Sequence, residues 1–348
     1  MTRRVLTIVG ARPQFIKAAP VGHAIEKASG LTEVLVHTGQ HYDAAMSEVF
    51  FKELGINSPA YNLGLGGGGH GEMTGRMLMA LEPLMVDEKP DAVLVYGDTN
   101  STLAGALTAA KLHIPVFHVE AGLRSFRMTM PEEINRRMTD HVSSLLFCPT
   151  QVAIENLKAE GIQKGVLPVG DVMYDSALLA AATETGSDIA ERLGLEKGRY
   201  EVATVHRAEN TDDPAVLNDV LAFLKERAAE QPVVLPLHPR TKGAAEKFGL
   251  LLEALTVVDP LGYLEMTHLV RGSAGVLTDS GGLQKEAYFH QVPCITLRDE
   301  TEWVETVENG WNRLWKSGED YRPRKDIAEY GEGNAAERIV ASILDFLN

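Results

Sequence analysis

Cysteine is nearly absent from this sequence: Cys148 and Cys294 are the only two among 348 residues. Each sits in an apolar run, LLFCPT and VPCIT, where a reduced thiol packs as a small core residue, so a disulfide framework is excluded. Positive charge is scarce as well. Lys and Arg number 33 against 48 Asp and Glu, a formal net charge of −15 that repels nucleic acid and anionic membrane surfaces. An anionic ligand must then be held by a local cluster of cations and helix ends. Long hydrophobic runs are also missing. The N-terminal stretch MTRRVLTIVGARPQ holds only a short apolar segment before Arg12-Pro13, too short for a signal segment or a membrane span, so a cytoplasmic location is expected. His41, His118, His206 and His238 lack any short-range ligand spacing such as HExxH, and no metal or other cofactor is expected.

What remains is ordinary soluble-protein composition, 45% hydrophobic and 23% charged, which supports a packed core. A chain of 348 residues exceeds the size at which a single core stops growing, so two α/β domains are expected. Short β-branched runs alternate with longer helical stretches, the pattern of βαβ units on a parallel sheet. Val5–Val9, Val34–His37, Ala92–Tyr96 and Val116–Val119 read as buried strands of the first half. Val202–Val205, Val233–Leu237, Leu255–Val258, Gly275–Thr278 and Cys294–Leu297 repeat the rhythm in the second. Pro168–Asp171 and the polar stretch Thr183–Asp188 make a hinge, placing a first domain at 1–170 and a second at 171–334. Gly64–Gly71 reads as a glycine-rich loop, with no strand legible before it to make a dinucleotide fingerprint.

Nearly every unusual polar cluster follows directly after an apolar run. Ligands of open α/β sheets bind outside the carboxyl ends of the strands, so these clusters predict a common site. Asp279-Ser280-Gly281-Gly282 ends a strand and opens a helical stretch, where free amides and the helix dipole suit a phosphate or diphosphate. A plain N-cap with a tight turn explains the same residues. Glu286, one turn on, could accept from ribose hydroxyls or merely favour the helix start. Asp98 and Glu120 each follow a buried strand, and Glu132 stands in a helix opened by Pro131. Paired carboxylates in one cleft suit acid–base work at a sugar carbon. For Asp98 the alternative is an Asx-turn cap before the helix at Thr99–Lys111; for Glu132 it is a surface ion pair with Arg136 at i,i+4.

Taken together, GARPQFIK, TGQHYD, YGDTNSTLAGALTA, HVEAGLRS, MPEEINR, HRAEN, HPRT, DPLGYLEM, TDSGGLQKEA and RDETEWVE resemble the non-hydrolysing UDP-N-acetylglucosamine 2-epimerase family. The matching stretches run in one order from residue 10 to about 306. The resemblance implies a glycosyltransferase-B-like α/β fold of two Rossmann-like domains with the active site in the cleft between them. It implies that the nucleotide is held mainly by the second domain, and that a C-terminal helix, about 335–348, returns to the first. By the same resemblance Asp98, Glu120 and Glu132 take the acid–base roles and His206 stands near the diphosphate. Arg12, Lys17 and Arg136 contact phosphate or sugar, His238 belongs to the substrate site, Ser280, Gly281 and Gly282 bind the diphosphate, and Glu286 the ribose. The implied partner is a UDP-sugar, and a homodimer is the expected assembly.

Two departures from the family pattern stand out. Thr301-Glu302-Trp303-Val304-Glu305 carries an indole where many members have a guanidinium, and resembles relatives that epimerise UDP-2,3-diacetamido-2,3-dideoxyglucuronate. Gln40-His41-Tyr42-Asp43 differs from the Gln-His-Arg form of members activated by their own substrate. The implied chemistry follows from an obstacle: the proton on C2 of the sugar is not next to a carbonyl, so it leaves together with the diphosphate, giving a glucal and UDP. A glycosyltransferase sharing the architecture and a non-catalytic sugar-nucleotide sensor are the competing expectations. A nicotinamide dehydrogenase is disfavoured, because Gly10-Ala-Arg-Pro replaces G-x-G-x-x-G after the first strand.

Overall fold

The computed structural model describes residues 2–40, 51, 53–318 and 320–348. Two compact units emerge, one of Met1–Ser176 with Ala328–Asn348, the other of Ala177–Ile327. The division after Ser176 falls inside a helix, Val172–Ala181, a few residues beyond the expected boundary at 170.

In the first unit a seven-stranded parallel sheet is formed by β1 (Arg3–Val9), β2 (Leu31–His37), β3 (Tyr61–Asn62), β4 (Ala92–Tyr96), β5 (Val116–Val119), β6 (Leu145–Cys148) and β7 (Val166–Pro168). Its spatial order is β3-β2-β1-β4-β5-β6-β7. Strands β4 and β5 are buried at every position, as expected of strands covered on both faces. The helices are α1 (Arg12–Lys27), α2 (His70–Glu88), α3 (Asn100–Lys111), α4 (Pro131–Val142), α5 (Gln151–Ala159) and α6 (Val172–Ala181). Met77, Leu81 and Met85 of α2 and Ala104, Ala106 and Ala109 of α3 pack on Leu6, Ile8, Val93 and Val95 of the sheet. Removing that apolar area from water is what holds the layer together.

The second unit takes in the end of α6, continues with the short α7 (Ile189–Arg192) and builds a six-stranded sheet ordered β10-β9-β8-β11-β12-β13. These strands are β8 (Glu201–Thr204), β9 (Val233–Pro236), β10 (Thr256–Val258), β11 (Gly275–Thr278), β12 (Cys294–Thr296) and β13 (Asn312–Leu314). Alternation along β8 sends Val202 to the face covered by Leu269, Val270 and Ala287, and Ala203 to the face covered by Leu217, Val220 and Leu224. Its helices are α8 (Ala208–Thr211), α9 (Pro214–Ala228), α10 (Pro239–Phe248), α11 (Tyr263–Gly272), α12 (Gly281–Phe289) and α13 (Val304–Glu308). The chain then returns to the first unit as α14 (Ala335–Leu347), where Phe346 meets Phe117 edge to face at 5.2 Å.

Both sheets reverse direction beside their first strand, between β1 and β4 and between β8 and β11, the doubly wound order of Rossmann folds. One reading of the sequence needs correction. The glycine-rich segment does follow a strand, β3, which pairs with β2 through Val36–Tyr61 and His37–Asn62. At two residues β3 is too short to show a period.

Candidate active site

In the first unit the switch point between β1 and β4 gathers the predicted acids and bases. The turn after β1 is tight: a Cβ on Gly10 would lie 2.1 Å from Thr38 Oγ1 and 2.2 Å from Ser101 Oγ, so only glycine fits. Gln14, buried on α1, ties this turn to the next. Its Oε1 accepts from the amides of Gly10 (2.8 Å) and Ala11 (3.1 Å), while its Nε2 donates to the Tyr96 carbonyl (2.9 Å) and Thr102 Oγ1 (3.0 Å).

Asp98 leaves β4 through Gly97 and forms an ion pair with Arg136 of α4. It is not the helix cap, a role taken by Thr99, whose Oγ1 accepts from the Thr102 amide at 3.3 Å. Glu120 leaves β5 in the left-handed region, φ +70°, an uncommon conformation for a side chain of its kind and one found at functional sites. Its carboxylate pairs with Lys17, and a Cβ on Gly97 would lie 3.3 Å from Glu120 Oε2 and 3.4 Å from Lys17 Nζ. Burial pushes the Asp98 carboxyl above its ordinary pKa; Arg136 and Lys17 oppose this, and Glu120 and Glu132 add to it. Asp98, Glu120, Glu132, Lys17 and Arg136 therefore form one electrostatic cluster. Arg12 opens α1 as an exposed residue.

The surface pair expected between Glu132 and Arg136 does not form. The guanidinium turns to Asp98 and to Glu133, 3.3 Å away, whose side chain is fully buried. Burial opposes ionisation of Glu133, but the Ser125 amide and hydroxyl, Arg137 and Arg136 outweigh it and hold its pKa at about 2. Asn135 completes the wall, donating to the Asp98 carbonyl at 2.9 Å and to Asn100 Oδ1 at 3.3 Å. Glu133, Asn135 and Gln14 went unrecognised in the sequence; their only local signal is a polar residue on the sheet-facing side of a helix. His41, Tyr42 and Asp43 lie outside the described residues.

In the second unit the corresponding switch point is organised by Asp279, which is fully buried at the end of β11. It accepts from the amides of His206 and Arg207, both at 2.9 Å, and from Asn210 Nδ2 at 3.1 Å, fixing the turn after β8. The rings of His206 and His238 lie 5.4 Å apart, and His238 Nδ1 caps α10 by accepting from the Arg240 amide at 3.1 Å. Burial, then His206, lowers the pKa of His238. Ser280 caps α12, its Oγ accepting from the Leu283 amide at 3.5 Å, so the plain capping role holds. Gly282 is exposed at the helix start and Glu286 half-buried one turn on. A Cβ on Gly281 would lie 3.3 Å from Trp303 Nε1 and 3.4 Å from Glu302 Oε1. Trp303 thus stands at this same helix start, with the Lys285 ammonium 4.0 Å from the centre of its ring.

Two doubly wound units, each with its chemistry-bearing residues at the switch point, define an α/β protein of glycosyltransferase-B-like architecture. Phytolacca americana UGT2, solved with UDP-2fluoro-glucose and pterostilbene, shares the fold at a TM-score of 0.57 and 14% identity, over 99% of this chain and 91% of that one. The chain belongs to the UDP-N-acetylglucosamine 2-epimerase family, whose model matches residues 23–344, and it is a sugar-nucleotide isomerase. It is 54% identical to the UDP-2,3-diacetamido-2,3-dideoxy-D-glucuronate 2-epimerase of Pseudomonas aeruginosa, over 97% of this chain and 98% of that one. Among solved structures it is similar to the UDP-GlcNAc 2-epimerase of Methanocaldococcus jannaschii in complex with UDP-GlcNAc and UDP, with a TM-score of 0.84 and 40% identity over 99% and 100% of the chains.

Proposed function

We propose that this enzyme inverts C2 of a UDP-linked 2-acetamido sugar, interconverting UDP-GlcNAc and UDP-ManNAc, with Asp98, Glu120 and Glu132 as the proton-handling groups. The observation that carries the reading is the acid cluster of the first unit, in which burial and neighbouring carboxylates raise the pKa of Asp98 while Lys17 and Arg136 stay paired beside it. A carboxyl whose burial raises its proton affinity, set beside further carboxylates, suits proton transfer at a sugar carbon.

In the forward step a carboxylate takes the C2 proton and the C2–H electron pair becomes the C1–C2 double bond. The C1–O pair leaves on the UDP oxygen. UDP then re-adds to C1 while C2 accepts a proton on the opposite face. Ser280, Gly281, Gly282 and His206 hold the diphosphate, Arg12 and His238 support it, and Glu286 holds the ribose; the free amides of α12 suit the charge that develops on the leaving group.

Sequence similarity to the Pseudomonas enzyme and the indole at Trp303 favour a second reading of the substrate, UDP-2,3-diacetamido-2,3-dideoxyglucuronate, with a place in surface polysaccharide synthesis. A cytoplasmic homodimer without nucleic-acid partners completes the proposal. Exposed Phe126, Met128, Ile134 and Met138, on α4 and the segment before it, support self-association. Incubation of each nucleotide sugar with the enzyme in D2O, followed by NMR, tests the reaction. Deuterium is expected at C2 of the product, and epimerisation without label would reject the elimination route.

A further inference from the structure

Below the acid cluster lies a charged group that the proposed reaction leaves unassigned. His118, on β5 two residues before Glu120, is fully buried together with Asp140 of α4 and the side chain of Arg124. Its Nδ1 lies 2.7 Å from Asp140 Oδ1, and its Nε2 lies 2.8 Å from the carbonyl oxygen of Gly97. A carboxylate and a carbonyl can only accept, so both contacts are hydrogen bonds only if the ring carries hydrogen on both nitrogens. The ring is then an imidazolium. Its charge and that of Arg124 are matched by Asp140, 2.7 Å from Arg124, and by Glu160, whose oxygens lie 2.8 and 2.9 Å from Arg124 Nε and Nη2. A balanced set is what allows His118, Asp140 and Arg124 to sit this deep, with Glu160 partly exposed beside them.

The clamp grips both loops that bear the acids. Gly97, in the left-handed region at φ +61°, directly precedes Asp98; its amide donates to the Val119 carbonyl at 3.0 Å, and its carbonyl is the acceptor for His118. Asp140 Oδ2 accepts from the amide of Gly122 at 3.2 Å, two residues beyond Glu120. One dyad thus holds the peptide that joins Gly97 to Asp98 and the peptide that joins Ala121 to Gly122.

We infer that His118 is a positioning residue: as a buried imidazolium clamped by Asp140, it sets the relative placement of Asp98 and Glu120 through the Gly97 carbonyl. The inference rests on the proposed epimerase reading and gives it a mechanical part. Two amide variants separate positioning from mere packing. In His118→Gln the side-chain amide can stand where Nε2 stood and keep the Gly97 bond. In His118→Asn it stands nearer Nδ1, keeps Asp140 and releases Gly97. Both remove the same buried charge, so a structural role alone would affect them alike.

The expected result is kcat within about tenfold of the parent for His118→Gln and about 10²-fold lower for His118→Asn, the cost of slight misplacement of reacting groups. UDP affinity, measured by calorimetry, should be unchanged in both. Equal loss of kcat in the two variants would overturn the inference, as would a change in UDP affinity matching the loss of rate. A readout on the unmodified enzyme does not depend on the variants folding. In protein carrying 15N-histidine, both ring nitrogens of His118 should bear protons, and a ring with one bare nitrogen overturns the clamp. If the parent enzyme places no deuterium at C2, the epimerase reading fails by itself, and the ring spectrum still judges the imidazolium.

Discussion

At Asp98, function and stability pull in opposite directions. Burial raises its pKa and the cations Arg136 and Lys17 do not fully restore it, so the folded protein holds the Asp98 proton more tightly than the unfolded chain does. A raised folded-state value means a stability contribution that is complete below the unfolded carboxylate pKa and lost as pH rises through the folded one. At neutral pH the ionised Asp98 is therefore a net cost to the fold. Asp98→Asn removes the titration, so its Tm should exceed that of the parent at pH 7, with the gap closing as pH falls through the raised folded value and gone below about 4. The same variant should lose at least about 10²-fold in kcat, the usual scale for an acid–base group. A Tm at pH 7 equal to or below the parent's would contradict the electrostatic account. Asp98 was legible as a candidate because it closely follows a buried strand, although an Asx-turn cap explains the same position. Gln14 was not, because its meaning lies in a carbonyl 82 residues away.

Among the elements, legibility followed the strength of the local period. Helix α14 matches the span that the family resemblance implies, and its buried residues Ala335, Ile339 and Ile343 recur every fourth position. Strand β13 escaped notice, since Asn312-Arg313-Leu314 carries little apolar signal and owes its conformation to pairing with β12. Helix α14 also shows how a distant residue can serve a local need. Its N-cap, Asn334, makes no side-chain bond, and the first amides are satisfied instead by Asp175 of α6. Asp175 Oδ1 accepts from Ala336 at 2.8 Å and Oδ2 from Ala335 at 3.2 Å. Loss of such a cap costs about 1–2 kcal/mol, so Asp175→Ala should lower the urea midpoint accordingly, and Asp175→Asn, which keeps one acceptor, should lower it less. An unchanged midpoint in Asp175→Ala would mean that water replaces the carboxylate without penalty.

For the whole molecule, the class of fold was written in the repeated rhythm of strand and helix, but the strand order was not. Which strand lies beside β1 depends on crossovers that span dozens of residues; β4 lies there, under the cover of α2 and α3. Against a net charge of −15, Lys17 and Arg136 stand beside the acids of one switch point, and Arg207 and Lys285 stand at the turn after β8 and on α12 in the other unit. If the second unit grips the nucleotide and the first handles the sugar, ligands of increasing size should register on the units separately. UDP alone should slow amide hydrogen exchange at the turn after β8, around His206–Asn210, and at the first turn of α12, leaving Gly97–Asn100 and Glu120–Gly122 unaffected. UDP-GlcNAc should protect both sets. Saturation at about 100 times Kd would add about 2.7 kcal/mol to the unfolding free energy of whatever binds. Protection of the Asp98 and Glu120 loops by UDP alone would assign the nucleotide to the wrong unit, and with it every diphosphate contact proposed at Ser280, Gly281 and Gly282.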